Sequence, residues 1–136
     1  MQTWDTMVAL DRRSVADLTL RDVPDAPGVY TWWRDGTCVY VGEAKTSLRS
    51  RLRAHLATGP DLSRSTLRRT VALEQLGIPR EIAGRRPTQI TQAQADVVNA
   101  WLRGCELAWV ECASAAEAHA LEASLRGLGL PPLNRA

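Results

Sequence analysis

No stretch of this 136-residue chain is apolar for the length that a bilayer crossing needs. Its first residues, MQTWDTMVALDRR, lack the basic start and apolar centre of a secretory leader. Both absences lead to the expectation of a cytoplasmic protein without a membrane partner. Cysteine is scarce: Cys38, Cys105 and Cys112 are odd in number and lack metal-ligand spacing. A disulfide framework and a thiolate metal centre are thereby excluded, and the three read as reduced, small core residues. Repeats and low-complexity tracts are absent. Charge of one sign is not in large excess either: the formal net charge is +2, so the molecule as a whole is not a polycation. Tyrosine is almost missing, with two in the chain, and both fall within residues 28–42.

What is present fits one soluble domain, residues 1–136, with 45% apolar and 24% charged residues. The charge is unevenly spread. Lys45, Arg49, Arg51, Arg53, Arg64, Arg68 and Arg69 crowd residues 43–69, opposed there only by Glu43 and Asp61. Arg80, Arg85 and Arg86 form a second cluster, while acidic residues gather at the N-terminus and around 106–122. Such asymmetry points to one face that attracts phosphate.

The element signals follow in order. Residues 1–27 are an N-terminal extension in which Asp11 or Ser14 starts a short helix through Leu18. Residues 28–42 are two strands, rich in Val, Thr, Tyr and Trp, around Asp35-Gly36. Ser47 begins a helix to about Ala57 with a Leu48/Leu52/Leu56 stripe. Ser63 or Ser65 begins another to Leu76, residues 80–90 are loop-like, and Thr91 caps a third helix to Leu102. Leu107–Cys112 is a strand. Ser114 caps a last helix as a capping box with Glu117, its core stripe being Ala118, Leu121, Leu125 and Leu128. The expected class is α+β, with a small three-stranded antiparallel sheet (hairpin 28–42 plus strand 107–112) flanked by helices. Residues from about 60 to 105 form a helical insertion.

Within GVYTWWRDGTCVYVG, two registers are open. A two-residue type I′ turn at Asp35-Gly36 pairs Tyr30 with Val41 and puts the two tyrosines on opposite faces. A three-residue loop, Arg34 to Gly36 with a bulge, pairs Tyr30 with Tyr40 and Gly28 with Gly42. If the phenols cooperate, the three-residue loop must hold. Gly42 sits where something can approach the backbone closely. On the following helix, Arg51 and His55 are neighbours at i and i+4, beside the leucine stripe. That places a fixed cation with a two-pronged fork, and an imidazole that exchanges protons near neutral pH, at the hairpin's edge.

Gly28-Val29-Tyr30, Tyr40-Val41-Gly42, Arg51 on the next helix, Glu122 on a late helix and Asn134 near the end together resemble the GIY-YIG nuclease superfamily. The resemblance is close over 28–56 and looser over 107–134. It implies an endonuclease that hydrolyses DNA phosphodiester bonds with one divalent metal, Mg²⁺ or Mn²⁺. By that resemblance Tyr30 activates water or passes its proton on, and Tyr40 positions water and phosphate. Arg51 stabilises phosphate charge, Glu122 ligates the metal, Gly42 allows close packing, and Asn134 pins the C-terminal segment. His55 matches a histidine of some restriction-enzyme branches. Residue 43 departs from the pattern: it is Glu where many members are basic, and Lys45 is the substitute cation. No appended DNA-binding domain is visible, so targeting implies a protein partner or an oligomer.

The chemistry is consistent with this reading. Free Tyr, with a pKa of about 10, is a poor base at neutral pH, and Arg51, a metal and a partner phenol are expected to favour the phenolate. One carboxylate suffices for Mg²⁺, which keeps most of its waters. Glu117 and His119 read as a cap and a surface residue. Lys45, Arg49, Arg53, Arg64, Arg68 and Arg69 are candidate contacts to backbone phosphates. Trp32 or Trp33 could stack on a base, although a core role suits both. Two other functions fit the same residues: a binding module without cleavage, and a pocket reshaped by the insertion for a small molecule or nucleotide.

Overall fold

Asp35 and Gly36 stand at φ of 51° and 78°, the pair of positive values that a two-residue type I′ turn requires. They join β2 (Gly28–Arg34) to β3 (Thr37–Ala44) in a computed structural model of the chain, which describes residues 4–129 and 131–134. The three-residue loop is therefore not the one used. Arg34 pairs with Thr37 and Trp33 with Cys38, but the register then shifts, so that Trp32 opposes Tyr40 and Tyr30 opposes Gly42. The extra residue is Val39, a bulge inside β3. The direct pairs Tyr30–Tyr40 and Gly28–Gly42 do not form; Gly28 opposes Ala44. The bulge still does what an odd loop would have done. Opposed residues share a face, as do residues two apart on one strand, so Tyr40, Trp32 and Tyr30 all point the same way.

The sheet has four antiparallel strands in the order β1-β4-β2-β3, not three. β4 (Glu106–Glu111) pairs with β2, and the added strand, β1 (Arg13–Ser14), pairs with Leu107 and Glu106 at the far side of β4. Two residues are too few to show a period, so this strand left no signal in the sequence. It is held by cation–π stacking of Arg12 on Trp33 (4.5 Å) and Arg13 on Trp109 (5.0 Å). The extension also departs from the expected helix through Leu18. It carries α1 (Trp4–Ala9) and then two 3-10 turns, Val15–Asp17 and Leu20–Asp22.

Helices cover both sheet faces. α2 (Leu48–Leu56), α3 (Thr66–Leu76), a single turn α4 (Arg80–Ala83) within the segment read as loop, and α5 (Gln92–Arg103) lie on the tyrosine side. There Tyr30, Trp32 and Tyr40 pack with Leu48, Leu52, Leu67, Val71, Ala95 and Val98. α6 (Ala115–Arg126) covers the other face and packs Ala118, Leu121 and Leu125 on Val29 and Val41. The helix stops before Leu128, which is 70% exposed and not part of the stripe. Ser114 caps α6 by accepting from the Glu117 amide, but the Glu117 carboxylate reaches Ala113 N–H instead of closing the box. Trp32 and Trp33 are both buried, so neither is available to stack on a base. Among the described residues no helix is long and apolar enough to cross a membrane, and the three cysteines are unpaired.

Candidate active site

The Tyr30 hydroxyl lies 2.7 Å from His55 Nε2, and His55 Nδ1 lies 2.6 Å from Ser65 Oγ. The three come from β2, α2 and the cap of α3 and are all buried. His55 is thus beneath the hairpin, not at its margin. Burial, reinforced by the charges of Arg51, Arg68 and Arg69, pushes its pKa down to about 3, so the ring is neutral at working pH. Burial also pushes the Tyr30 phenol above its ordinary range. Tyr40 adds to this, while Arg51 opposes it through charge and a hydrogen bond. The partner phenol therefore disfavours phenolate, contrary to the sequence expectation. Ser65 accepts from the Arg68 amide as the cap of α3. It was missed from the sequence because its link to His55 exists only once α2 and α3 pack.

Tyr40 stands 6.3 Å from Tyr30 and 6.1 Å from His55, ring centre to ring centre, and burial raises its pKa as well. Gly42 explains how Tyr30 reaches this place. A Cβ there would collide with the Tyr30 ring and hydroxyl, and a buried, hydrogen-bonded ring cannot swing aside. Gly42→Ala is expected to cost about 1–3 kcal/mol through overpacking and to lower any activity that depends on Tyr30; urea unfolding and a cleavage assay check the two effects separately. Gly28 is similarly closed in, by Val110 O and the Leu48 side chain.

Arg51 is half-buried and lines an open groove of about 640 Å³ with Glu43, Lys45, Ser47 and Ser50. Its Nη1 donates to Arg64 O at 3.4 Å. Glu122 is 6% exposed and accepts from Arg126 Nη1 at 3.2 Å. It comes from a helix on the other side of the sheet from the tyrosines, yet its charge reaches both Tyr30 and Tyr40 and raises their pKa values. α6 lies over the Val29/Val41 side, and Glu43, which opposes Val29, points to that side too. Two half-sites therefore meet around edge strand β3: phenols, imidazole and Arg51 come from one side and the carboxylates from the other, with Glu43 in the same groove as Arg51 and the Glu122 charge felt by both phenols.

The carboxylate half holds residues that the sequence reading set aside. Glu43, His119 and Glu122 each offer a donor atom, and the three atoms lie within 4.8 Å of one another. Glu43 Oε1 is 3.0 Å from His119 Nδ1. Glu43 Oε2 is buried and has no hydrogen-bond partner among the described residues. Burial raises the Glu122 pKa, as does the nearby Glu43 charge, while Arg126 and His119 oppose the rise. An orphaned carboxylate oxygen beside a second buried carboxylate suits a divalent cation. His119 at i and Glu122 at i+3 share a helix face, which was the one signal available in sequence.

The basic residues divide. Lys45, Arg53 and Arg64 are exposed. Arg49 donates to Val23 O at 3.0 Å, tying α2 to the extension. Arg68 is fully buried and donates to Gly59 O and Asn99 Oδ1, so it leaves the set of phosphate contacts. Arg69 is bonded to Leu62 O, Ser63 O and Thr66 Oγ1. Charge alternation along α3 does not tell a solvated arginine from a structural one; the fold of 58–63 over the helix does. Asn134, in a 3-10 turn (Pro132–Asn134), accepts from Val41 N–H at 2.8 Å and donates to Val41 O at 3.0 Å. It thereby satisfies both backbone groups that edge strand β3 would otherwise leave open.

The sequence model described as the GIY-YIG catalytic domain matches residues 28–136, running through the segment 60–105 as well. UvrABC system protein C of Prosthecochloris aestuarii is 40% identical over 58 residues. The aligned stretch covers 42% of this chain and 9% of that relative.

Proposed function

The chain belongs to the GIY-YIG catalytic-domain family, and from that premise we propose that it is an endonuclease that hydrolyses DNA phosphodiester bonds with a divalent metal, Mg²⁺ or Mn²⁺. The observation that carries the reading is the Tyr30–His55–Ser65 chain of hydrogen bonds, with Arg51 beside Tyr30. With Nδ1 protonated toward Ser65, His55 turns its Nε2 lone pair to the Tyr30 hydroxyl. Tyr30 donates to that lone pair, which fixes the direction of its hydroxyl and leaves the phenol oxygen to accept a hydrogen bond from the attacking water; the ring, held neutral by burial, keeps no proton, and the one that the water loses passes to a phosphate oxygen and then to solvent. Tyr40 orients water and phosphate from the same face, and Arg51 stabilises the charge that builds on phosphate oxygens. Glu122 would hold the metal, which supplies charge neutralisation at the phosphate and an acidified water. Lys45, Arg53 and Arg64 contact the backbone without reading base sequence.

Incubation with supercoiled, branched and single-stranded DNA, with Mg²⁺ or Mn²⁺, tests the reading. Metal-dependent nicking that EDTA stops is the expected outcome. Salt-dependent DNA binding with no cleavage under either metal leaves only a binding module, and ligand binding with no affinity for DNA points to a reshaped pocket. Either result overturns the nuclease.

A further inference from the structure

We propose that Glu43, His119 and Glu122 form a three-ligand metal site that takes up its ion before DNA arrives and prefers Mn²⁺ to Mg²⁺. The proposal rests on the metal-dependent nuclease reading above and goes beyond it in the ligand set. A single carboxylate leaves an ion mostly hydrated and dependent on substrate phosphate for the rest of its shell. Here three side chains from two elements, β3 and α6, already converge, with donor atoms within 4.8 Å of one another. Neighbouring donors on an octahedral ion with bonds of about 2.1 Å lie about 3 Å apart. Glu43 Oε1 and His119 Nδ1 have that spacing at 3.0 Å, and an ion can replace the proton that joins them.

Charge argues the same way. Two carboxylates lie together, one 6% exposed and the other with an oxygen shut away from water and from any partner among the described residues. Arg126 bonds Glu122 alone, through one oxygen at 3.2 Å. A dication closes this imbalance and gives Glu43 Oε2 the partner it lacks. His119 is 67% exposed at its side chain, so the ion can reach the site from solvent. The imidazole also sets the preference. Mg²⁺ favours an all-oxygen shell and keeps its waters, whereas nitrogen ligation suits transition-series ions. Glu at position 43, the residue that departs from the family's usual basic side chain, thus becomes a ligand instead of a defect.

Titration of the DNA-free protein with MnCl₂, followed by electron paramagnetic resonance, tests the proposal. One bound Mn²⁺ is expected, with Mg²⁺ competing at least about tenfold more weakly. Pulsed measurements on the loaded protein show nitrogen coupling from a directly bound imidazole, and His119→Gln removes it. Loss of an outer partner alone changes metal affinity about 10–100-fold, so Glu43→Gln and His119→Gln should each weaken Mn²⁺ by at least about tenfold. His119 is exposed, so its variant retains the fold. Equal Mn²⁺ affinity in wild type and both variants with no nitrogen coupling, or no Mn²⁺ uptake without DNA, overturns the three-ligand site. If Glu122→Gln still abolishes metal-dependent cleavage in that case, the nuclease reading survives. Cleavage by the wild type in EDTA removes that reading itself.

Discussion

Tyr30→Phe is expected to leave a folded, DNA-binding protein that cleaves about 10²–10⁴-fold more slowly than the wild type, the usual worth of a positioned acid–base group on the attacking water. The change deletes one oxygen, and that oxygen is the atom 2.7 Å from His55 Nε2. The ring remains over Gly42 and within the core around Leu48 and Leu52, so packing is kept. The stability cost is confined to one buried nitrogen left without its partner, about 1–3 kcal/mol. Single-turnover cleavage of a nicked-circle substrate, DNA affinity by titration and urea unfolding separate these effects. Near wild-type cleavage in the Phe variant would exclude a role for the Tyr30 hydroxyl in orienting and activating the attacking water, whatever becomes of the metal. Loss of binding in proportion to cleavage would place the phenol in substrate capture.

The second large effect is on stability and acid. An unfolded histidine titrates near pH 6.5, while burial holds folded His55 near 3. Between those values the unfolded chain binds the extra proton and the folded chain does not. Stability is therefore complete above about pH 6.5 and falls as the pH drops toward 3, with a slope of about 1.4 kcal/mol per pH unit from this group. Glu122 acts in the opposite sense: its raised pKa lets the folded state bind more protons than the unfolded state just above the ordinary carboxylate range. The comparison is therefore between wild type and His55→Gln, in urea unfolding at intervals from pH 7.5 to 4.5. The wild type should lose stability steeply relative to the variant below pH 6.5. Parallel curves would mean that the imidazole accepts a proton in the folded protein, and with it that His55 is not sealed beneath the hairpin.

Much of the fold was legible because local rules and tertiary packing agree. Ser47, Ser65, Thr91 and Ser114 all accept the amide bonds of helix caps. The Leu48/Leu52 stripe is buried. The errors fall where a short element carries no period, as in Arg13–Ser14 and Arg80–Ala83, or where a helix ends two residues before the last residue of its expected stripe and leaves Leu128 in water. The hairpin is the most telling case. Asp35-Gly36 reads directly as a type I′ turn, and that reading is right for the turn. A bulge at Val39, for which no residue in the stretch is a distinctive marker, then reverses its consequence for the side chains.

The family motif is likewise a matter of residue type and order, and the sequence alone determines it: two tyrosines beside glycines, an arginine one helix later, a glutamate and an asparagine near the end. Sequence also determines that Gly42 has no side chain, which is the condition for Tyr30 to lie across it. Only the tertiary structure decides what surrounds these groups. It seals His55 between Tyr30 and Ser65, withdraws Arg68 from the surface, and brings Glu122 within reach of the phenols on a helix that packs against the sheet's other face. It also gathers Glu43 and His119, which are 76 residues apart, to 3.0 Å. The reason is physical. Cap, turn and stripe preferences act within a few residues and can be read along the chain. Desolvation and charge pairing depend on which elements pack against each other, and that is settled only when the sheet's two faces are covered.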